Sequence, residues 1–102
     1  MSKTAYDSKS QQRVLSIVAL LAGNEFHGLL PSEIAKAIHA TPSMITRDLH
    51  NIREAGFAEQ VPETGRWRLG PKLVQIALAF STSLSRAQAR VGEIQNRYTR
   101  EI

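Results

Sequence analysis

The sequence predicts a mainly α-helical chain with one small β-hairpin, and three observations lead there. Apolar residues recur at helical spacing in four separate segments. One stretch, "FAEQVPETGRWRLG", alternates at a period of two around a turn that carries proline and glycine. Glycines and prolines also fall where helical segments begin and end, as at Gly23, Pro31, Pro42 and Gly56.

Taken in order, residues 1–9 have no apolar period and are expected to form a disordered tail, with Ser8 or Ser10 available as a helix cap. Val14, Ile17, Val18 and Leu21 define a first helix from about Ser10 to Ala22, stopped by Gly23 and Asn24. "EFHGLL" reads as a loop. A short second helix runs from Pro31 to His39. Proline suits its first position because the missing N–H has no partner there, and Glu33 complements the positive end of the dipole. Ile34, Ala35 and Ile38 form its buried stripe, and "HATP" turns out of it. The third helix spans Pro42 or Ser43 to Ala55, with Ile45, Leu49 and Ile52 inward and Gly56 as a left-handed stop. "FAEQV" and "RWRLG" are the strands of the hairpin. Trp67 and Leu69 lie on its apolar face, Trp67 as a plug between hairpin and helices, and Arg66 and Arg68 lie on a positive one.

Composition narrows the possible roles. A chain of 102 residues with 42% hydrophobic content supports one modest core, and no apolar run reaches the roughly 20 residues of a membrane span. The polar N-terminus is not a signal peptide, and the absence of cysteine excludes disulfides and thiolate chemistry, which is compatible with the cytoplasm. Thirteen Lys and Arg against nine Asp and Glu leave a net charge of +4, a balance that favours polyanions, nucleic acid first. Catalysis fits poorly. His27, His39 and His50 are scattered, no carboxylate or cysteine completes a metal-ligand spacing, and no phosphate loop, nucleophile elbow or paired acids occur, so neither metal nor cofactor is expected.

Helix, helix, short turn, helix and basic hairpin is the order of a winged helix-turn-helix, placed at 10–70, with a C-terminal helical dimerisation segment at 71–102. The run of "RVLSIVALLA", "LLPSEIAKAI", "PSMITRDLHNIREAGFAE" and "GRWRLGPKLVQIA" resembles the amino-terminal DNA-binding domain of the IclR family of bacterial transcription regulators, over about residues 10 to 80. That resemblance implies dimers on operator DNA, with the third helix in the major groove and the wing near the backbone or minor groove. Asp48 departs from the family's usual apolar residue. The chain also ends at Ile102 without the family's effector domain, so no small-molecule effector is expected in this chain.

On the third helix, Ser43, Thr46, Arg47, His50 and Asn51 share the face opposite the buried stripe. Arg47 can clamp a guanine edge or a phosphate, and Asn51 can pair bidentately with adenine. The competing reading is a solvated polar face on which Arg47 pairs with Asp48 or Glu54. Thr64, Arg66 and Arg68 are assigned to phosphate contacts or minor-groove approach, against the alternative of a charged edge that discourages aggregation. Ser32 and Glu33 mark a weaker phosphate candidate at the second helix start.

The last third carries a heptad seam of Leu73, Ala77, Phe80, Leu84, Ala87, Val91, Ile94 and Tyr98, with Arg86, Arg90, Arg97 and Arg100 outside it. Val74 and Leu78 widen the early part, which is expected to pack on the winged body and on a neighbour at once. Ser85 with Gln88 forms a capping box, so a break into two helices near Ser81 to Ser85 stays open, and Gly92 weakens a continuous rod. The sequence thus predicts a homodimeric, sequence-specific double-stranded DNA-binding regulator, with a repressor as the expected sign. Its rivals are a winged protein-interaction module and a DNA binder of a mobile element with little sequence preference.

Overall fold

The structure, a computed structural model, describes residues 4–99. The start of the expected tail and Arg100 lie outside the described residues. The elements are α1 (Lys9–Leu21), α2 (Pro31–Ile38), α3 (Pro42–Glu54), β1 (Ala58–Gln60), β2 (Trp67–Leu69) and α4 (Pro71–Thr99). The fold is a winged helix.

Local chemistry accounts for each boundary. Thr4 to Asp7 form an exposed turn, and Ser8 rather than Ser10 caps α1, its hydroxyl accepting the Gln11 N–H at 3.3 Å, so the helix begins at Lys9. At α2, Glu33 accepts the Leu30 N–H at 2.8 Å, and the helix closes at His39, whose backbone turns left-handed at φ 60°. Thr41 caps α3 by accepting the Met44 N–H at 3.3 Å. Its far end is a complete Schellman closure: Gly56 N–H reaches Arg53 O at 2.8 Å and Phe57 N–H reaches Ile52 O at 3.0 Å, with Gly56 at φ 83°.

β1 and β2 pair antiparallel, with Glu59 opposite Arg68 and Gln60 opposite Trp67. Leu29 adds a one-residue bridge to Trp67 through two backbone hydrogen bonds of 2.9 and 2.8 Å. It lies within the segment expected to be a loop, and a single bridging residue leaves no period in a sequence. Ile17, Leu21, Ile34, Ala35, Ile45, Leu49, Ile52, Ala58 and Trp67 form the core. Trp67 is the expected plug, buried between hairpin and helices.

One core member is charged. Asp48 is buried, and Arg13 of α1 grips its carboxylate with Nε at 2.5 Å and a second nitrogen at 3.1 Å. The hydrogen bond to Asp48 raises the Arg13 pKa further. This clamp locks α1 to α3 and explains how an acid sits at a position where an apolar residue was expected. Arg13→Met is predicted to strand the carboxylate and lower Tm by on the order of 10 °C. Arg13→Met with Asp48→Leu is predicted to recover most of that loss in a thermal melt; a double variant as unstable as the single one contradicts the clamp.

α4 is a single unbroken helix of 29 residues, about 43 Å long, running through both the Ser81 to Ser85 stretch and Gly92. The expectation that its first part packs on the winged body holds for the first turn, at Leu73, and is corrected for Val74 and Leu78. Val74 and Leu78 are exposed, and only Leu73 is half-buried. Gly70 lies so close to Gly56 that an added Cβ would sit 2.4 Å from its carbonyl oxygen, and Lys72 N–H bonds the same oxygen at 3.3 Å. That tether aims the helix away from the body after one turn. The radius of gyration is consequently 19.8 Å, against about 13 Å for a compact chain of this length. No helix among the described residues is long and apolar enough to cross a membrane.

Candidate nucleic-acid interface

α3 presents its outer face because Ile45, Asp48, Leu49 and Ile52 occupy the inner one. Ser43, Thr46, Arg47, His50 and Asn51 are all exposed on that outer side. Several engage the helix itself. Thr46 donates to Pro42 O at 3.0 Å, Asn51 donates through Nδ2 to Arg47 O at 2.9 Å, and the Ser43 hydroxyl lies 3.3 Å from that of Thr41. These are weak exposed bonds that a rotamer change releases, and the Asn51 Oδ1 acceptor stays open. Arg47 has no ion-pair partner among the described residues, since Asp48 is held by Arg13. The pairing of Arg47 with Asp48 is therefore not made.

The hairpin brings its two arginines to different partners. Arg68 donates to Glu59 directly across the ladder at 2.7 Å. Arg66 reaches back to the start of α2, donating to Glu33 at 3.0 Å and to Gly28 O at 3.3 Å. Thr64 is exposed at the turn and accepts the Arg66 N–H at 3.2 Å. The expected positive strand face is thus a pair of salt bridges, and a phosphate would compete with Glu59 and Glu33 for these guanidiniums. At α2 the Glu33 carboxylate accepts the Leu30 N–H, so an acid of the chain itself stands beside the weaker phosphate candidate at Ser32 and Glu33.

The Leu30 N–H and the Arg66 guanidinium hold the Glu33 carboxyl below the usual glutamate range. A depressed carboxyl contributes stability that is present above the ordinary glutamate value and lost as pH falls through the lowered folded value. Carboxyl NMR titration is predicted to place Glu33, like Glu25 whose carboxyl accepts the Gly23 N–H, below the ordinary glutamate value. Arg66→Ala is predicted to move Glu33 only part of the way back, because the Leu30 N–H remains; a full return would show that the Leu30 N–H does not hold the carboxylate.

Residues outside the outer-face assignment complete the surface. Arg53 is exposed with its guanidinium 5.5 Å above the Trp67 ring centre and one nitrogen 3.4 Å from His50 Nδ1. With Pro31, Thr46, Gln60 and Trp67 it lines a groove between α3 and the hairpin. The available signal was spacing: Arg53 follows Thr46 by seven residues and His50 by three, on one edge of the helix. Among the described residues no group of His, Asp or Glu is placed to hold a metal ion.

Solved structures share this architecture. An IclR family transcriptional regulator from Brucella abortus superposes with a TM-score of 0.68 at 18% identity, covering 82% of this chain and 32% of that one. An IclR transcriptional regulator from Alicyclobacillus acidocaldarius gives 0.64 at 22% identity, covering 70% of this chain and 28% of that one. The chain therefore spans about a third of the length of those regulators. The ORF112 Zalpha domain of Cyprinid herpesvirus 3, whose binding mode to Z-DNA is described, gives 0.53 at 27% identity, covering 61% of this chain and 98% of that one. No protein-family model matches the chain, and no curated protein matches it. The likeness to the regulators falls on their winged DNA-binding region, the part anticipated from the sequence.

Proposed function

We propose that the protein is a sequence-specific double-stranded DNA-binding transcription regulator acting as a homodimer. The observation that carries this reading is the outer face of α3, where Arg47, without an ion-pair partner among the described residues, stands with Ser43, Thr46, His50 and Asn51 on a winged-helix body. α3 enters the major groove, Arg47 and Asn51 choose bases, and Ser43 and Thr46 fix the register through base or phosphate contacts. Thr64 and the exposed parts of Arg66 and Arg68 approach the backbone beside it, and Arg53 and His50 add cationic contacts at the wing end of α3. Held over the operator, such a dimer blocks polymerase, which makes repression the simplest outcome. With +4 net charge the body also holds DNA through salt-dependent phosphate contacts.

A second reading is favoured by the Zalpha likeness, which covers nearly all of that domain. In it the α3 face and the groove at Trp67 follow the shape of the duplex rather than its bases. Selection from random duplex DNA at two salt concentrations, with Arg47→Ala alongside, separates the two. A palindromic motif that vanishes with Arg47→Ala is the expected result. Enrichment of no motif, together with tighter binding to a d(CG) repeat held left-handed than to the same repeat in B form, would replace base reading by shape reading.

A further inference from the structure

The exposed α4 seam has a size pattern that specifies how it is covered. We infer that α4 pairs with α4 of a second copy in antiparallel orientation, with the two-fold axis passing between Ser85 and Arg86. This rests on the homodimer reading above and names its interface and geometry.

Surface area demands an occupant. The chain exposes 8210 Å², whereas a compact chain of 11.3 kDa exposes roughly 5,700 Å². The surplus of roughly 2,500 Å² is well above the roughly 800 Å² that each partner contributes to a standard interface. Part of it is an apolar stripe, where Phe80, Leu84, Val91 and Ile94 are all exposed.

Residue order selects the direction. Reversing one helix against the other about the Ser85 and Arg86 midpoint sets Ala77 opposite the partner's Ile94, Phe80 opposite the partner's Val91 and Leu84 opposite the partner's Ala87. Each of these three inner layers joins a larger side chain to a smaller one, which is how an interface reaches interior packing density, and the outermost layer sets Leu73 opposite the partner's Tyr98. A parallel pair would instead set each residue against its own copy. The layers at Ala77 and Ala87 would be left hollow and the layer at Phe80 overfilled, and both faults cost stability.

Charge agrees with reversal. Arg90 and Arg97 flank the seam on one side, and in the antiparallel pair they lie beside the partner's Ser83 and the partner's Ile76, where the arginine stem covers an apolar side chain. A parallel pair would gather all four arginines at one end of the rod. Antiparallel helices also set their dipoles head to tail. The consequence for binding is geometric: the two winged bodies sit at opposite ends of a rod about 43 Å long, and the half-sites they read are spaced to match.

The chain has no cysteine, so introduced thiols report directly. Ala77→Cys, Ile94→Cys and the double variant are oxidised mildly beside the wild type, whose mass is followed by sedimentation. In the antiparallel pair equal positions lie about 25 Å apart, beyond the roughly 7 Å limit for a disulfide between Cα atoms. Neither single variant is then expected to cross-link with itself, while their mixture and the double variant give covalent dimers. Self-linking of Ala77→Cys overturns the antiparallel assignment in favour of a parallel pair. A dimeric wild type with none of these links removes α4 from the interface and leaves the homodimer reading standing. A wild type that stays monomeric at all concentrations ends both.

Discussion

A chain carrying Leu84→Glu is expected to sediment as a monomer and to bind a duplex with two half-sites at least 100-fold more weakly than the wild type, about the lower end of what linking two binding modules contributes. Leu84 lies at the middle of the seam and is exposed in the single chain. In the proposed dimer it is covered by a second helix, so a carboxylate there must be desolvated without a partner. Because the middle of α4 makes no contact with the core, the winged body has no reason to unfold, and the far-ultraviolet circular dichroism and Tm of the body should hold. Affinity for a duplex with a single half-site should also hold. A Leu84→Glu protein that remains dimeric at micromolar concentration would show that the seam is not the contact. Loss of binding to a single half-site as well would point to damage of the body.

Arg47→Ala is expected to cost about 1–3 kcal/mol per half-site, or roughly 5- to 150-fold, and to do so selectively at the base pair it reads. Two properties of the residue make this large effect a clean one. It is exposed and has no carboxylate partner among the described residues, so its removal leaves Tm unchanged. It also sits between Ser43 and Asn51 on the outer face, where a groove wall would be closest. Arg47→Lys distinguishes the two tasks open to an arginine. Lysine keeps the point charge and loses the planar fork, so a base contact loses its preference while the salt dependence of binding is retained. If Arg47→Ala lowers the slope of log affinity against log salt by about one and leaves site preference intact, the residue holds a phosphate and the base reader lies elsewhere on the face.

Much of the architecture was legible because its causes are local. Ser8 and Gly56 start and stop helices through bonds to residues three positions away, and Ile17, Leu21, Ile34, Ile45 and Leu49 declare the inner faces by spacing alone. The exposed face of α3 follows from the same spacing, which is why Ser43, Arg47, His50 and Asn51 stand together where helical periodicity puts them.

What escaped the sequence is what joins distant segments. Arg13 and Asp48 are separated by 35 positions and Arg66 and Glu33 by 33, and no window of sequence couples them. The hairpin arginines looked like free cations on a charged strand face; their carboxylate partners emerge only once β1 is in register with β2 and the hairpin has docked on α2. Arg53 gained its place over Trp67 in the same way.

By itself the sequence determined four helical periods, a serine cap before α1 and the glycine stop after α3, the hairpin turn, the polar face of α3 and the spacing of the α4 seam, since each depends on bonds or periodicities within a few residues. Only the tertiary structure decided that Asp48 is a clamped core residue, that Arg47 has no ion-pair partner among the described residues, and that α4 leaves the body after one turn as a continuous rod. Those outcomes depend on how close Gly70 comes to Gly56 and on which charges meet across elements, and both are set when the helices and the wing pack together.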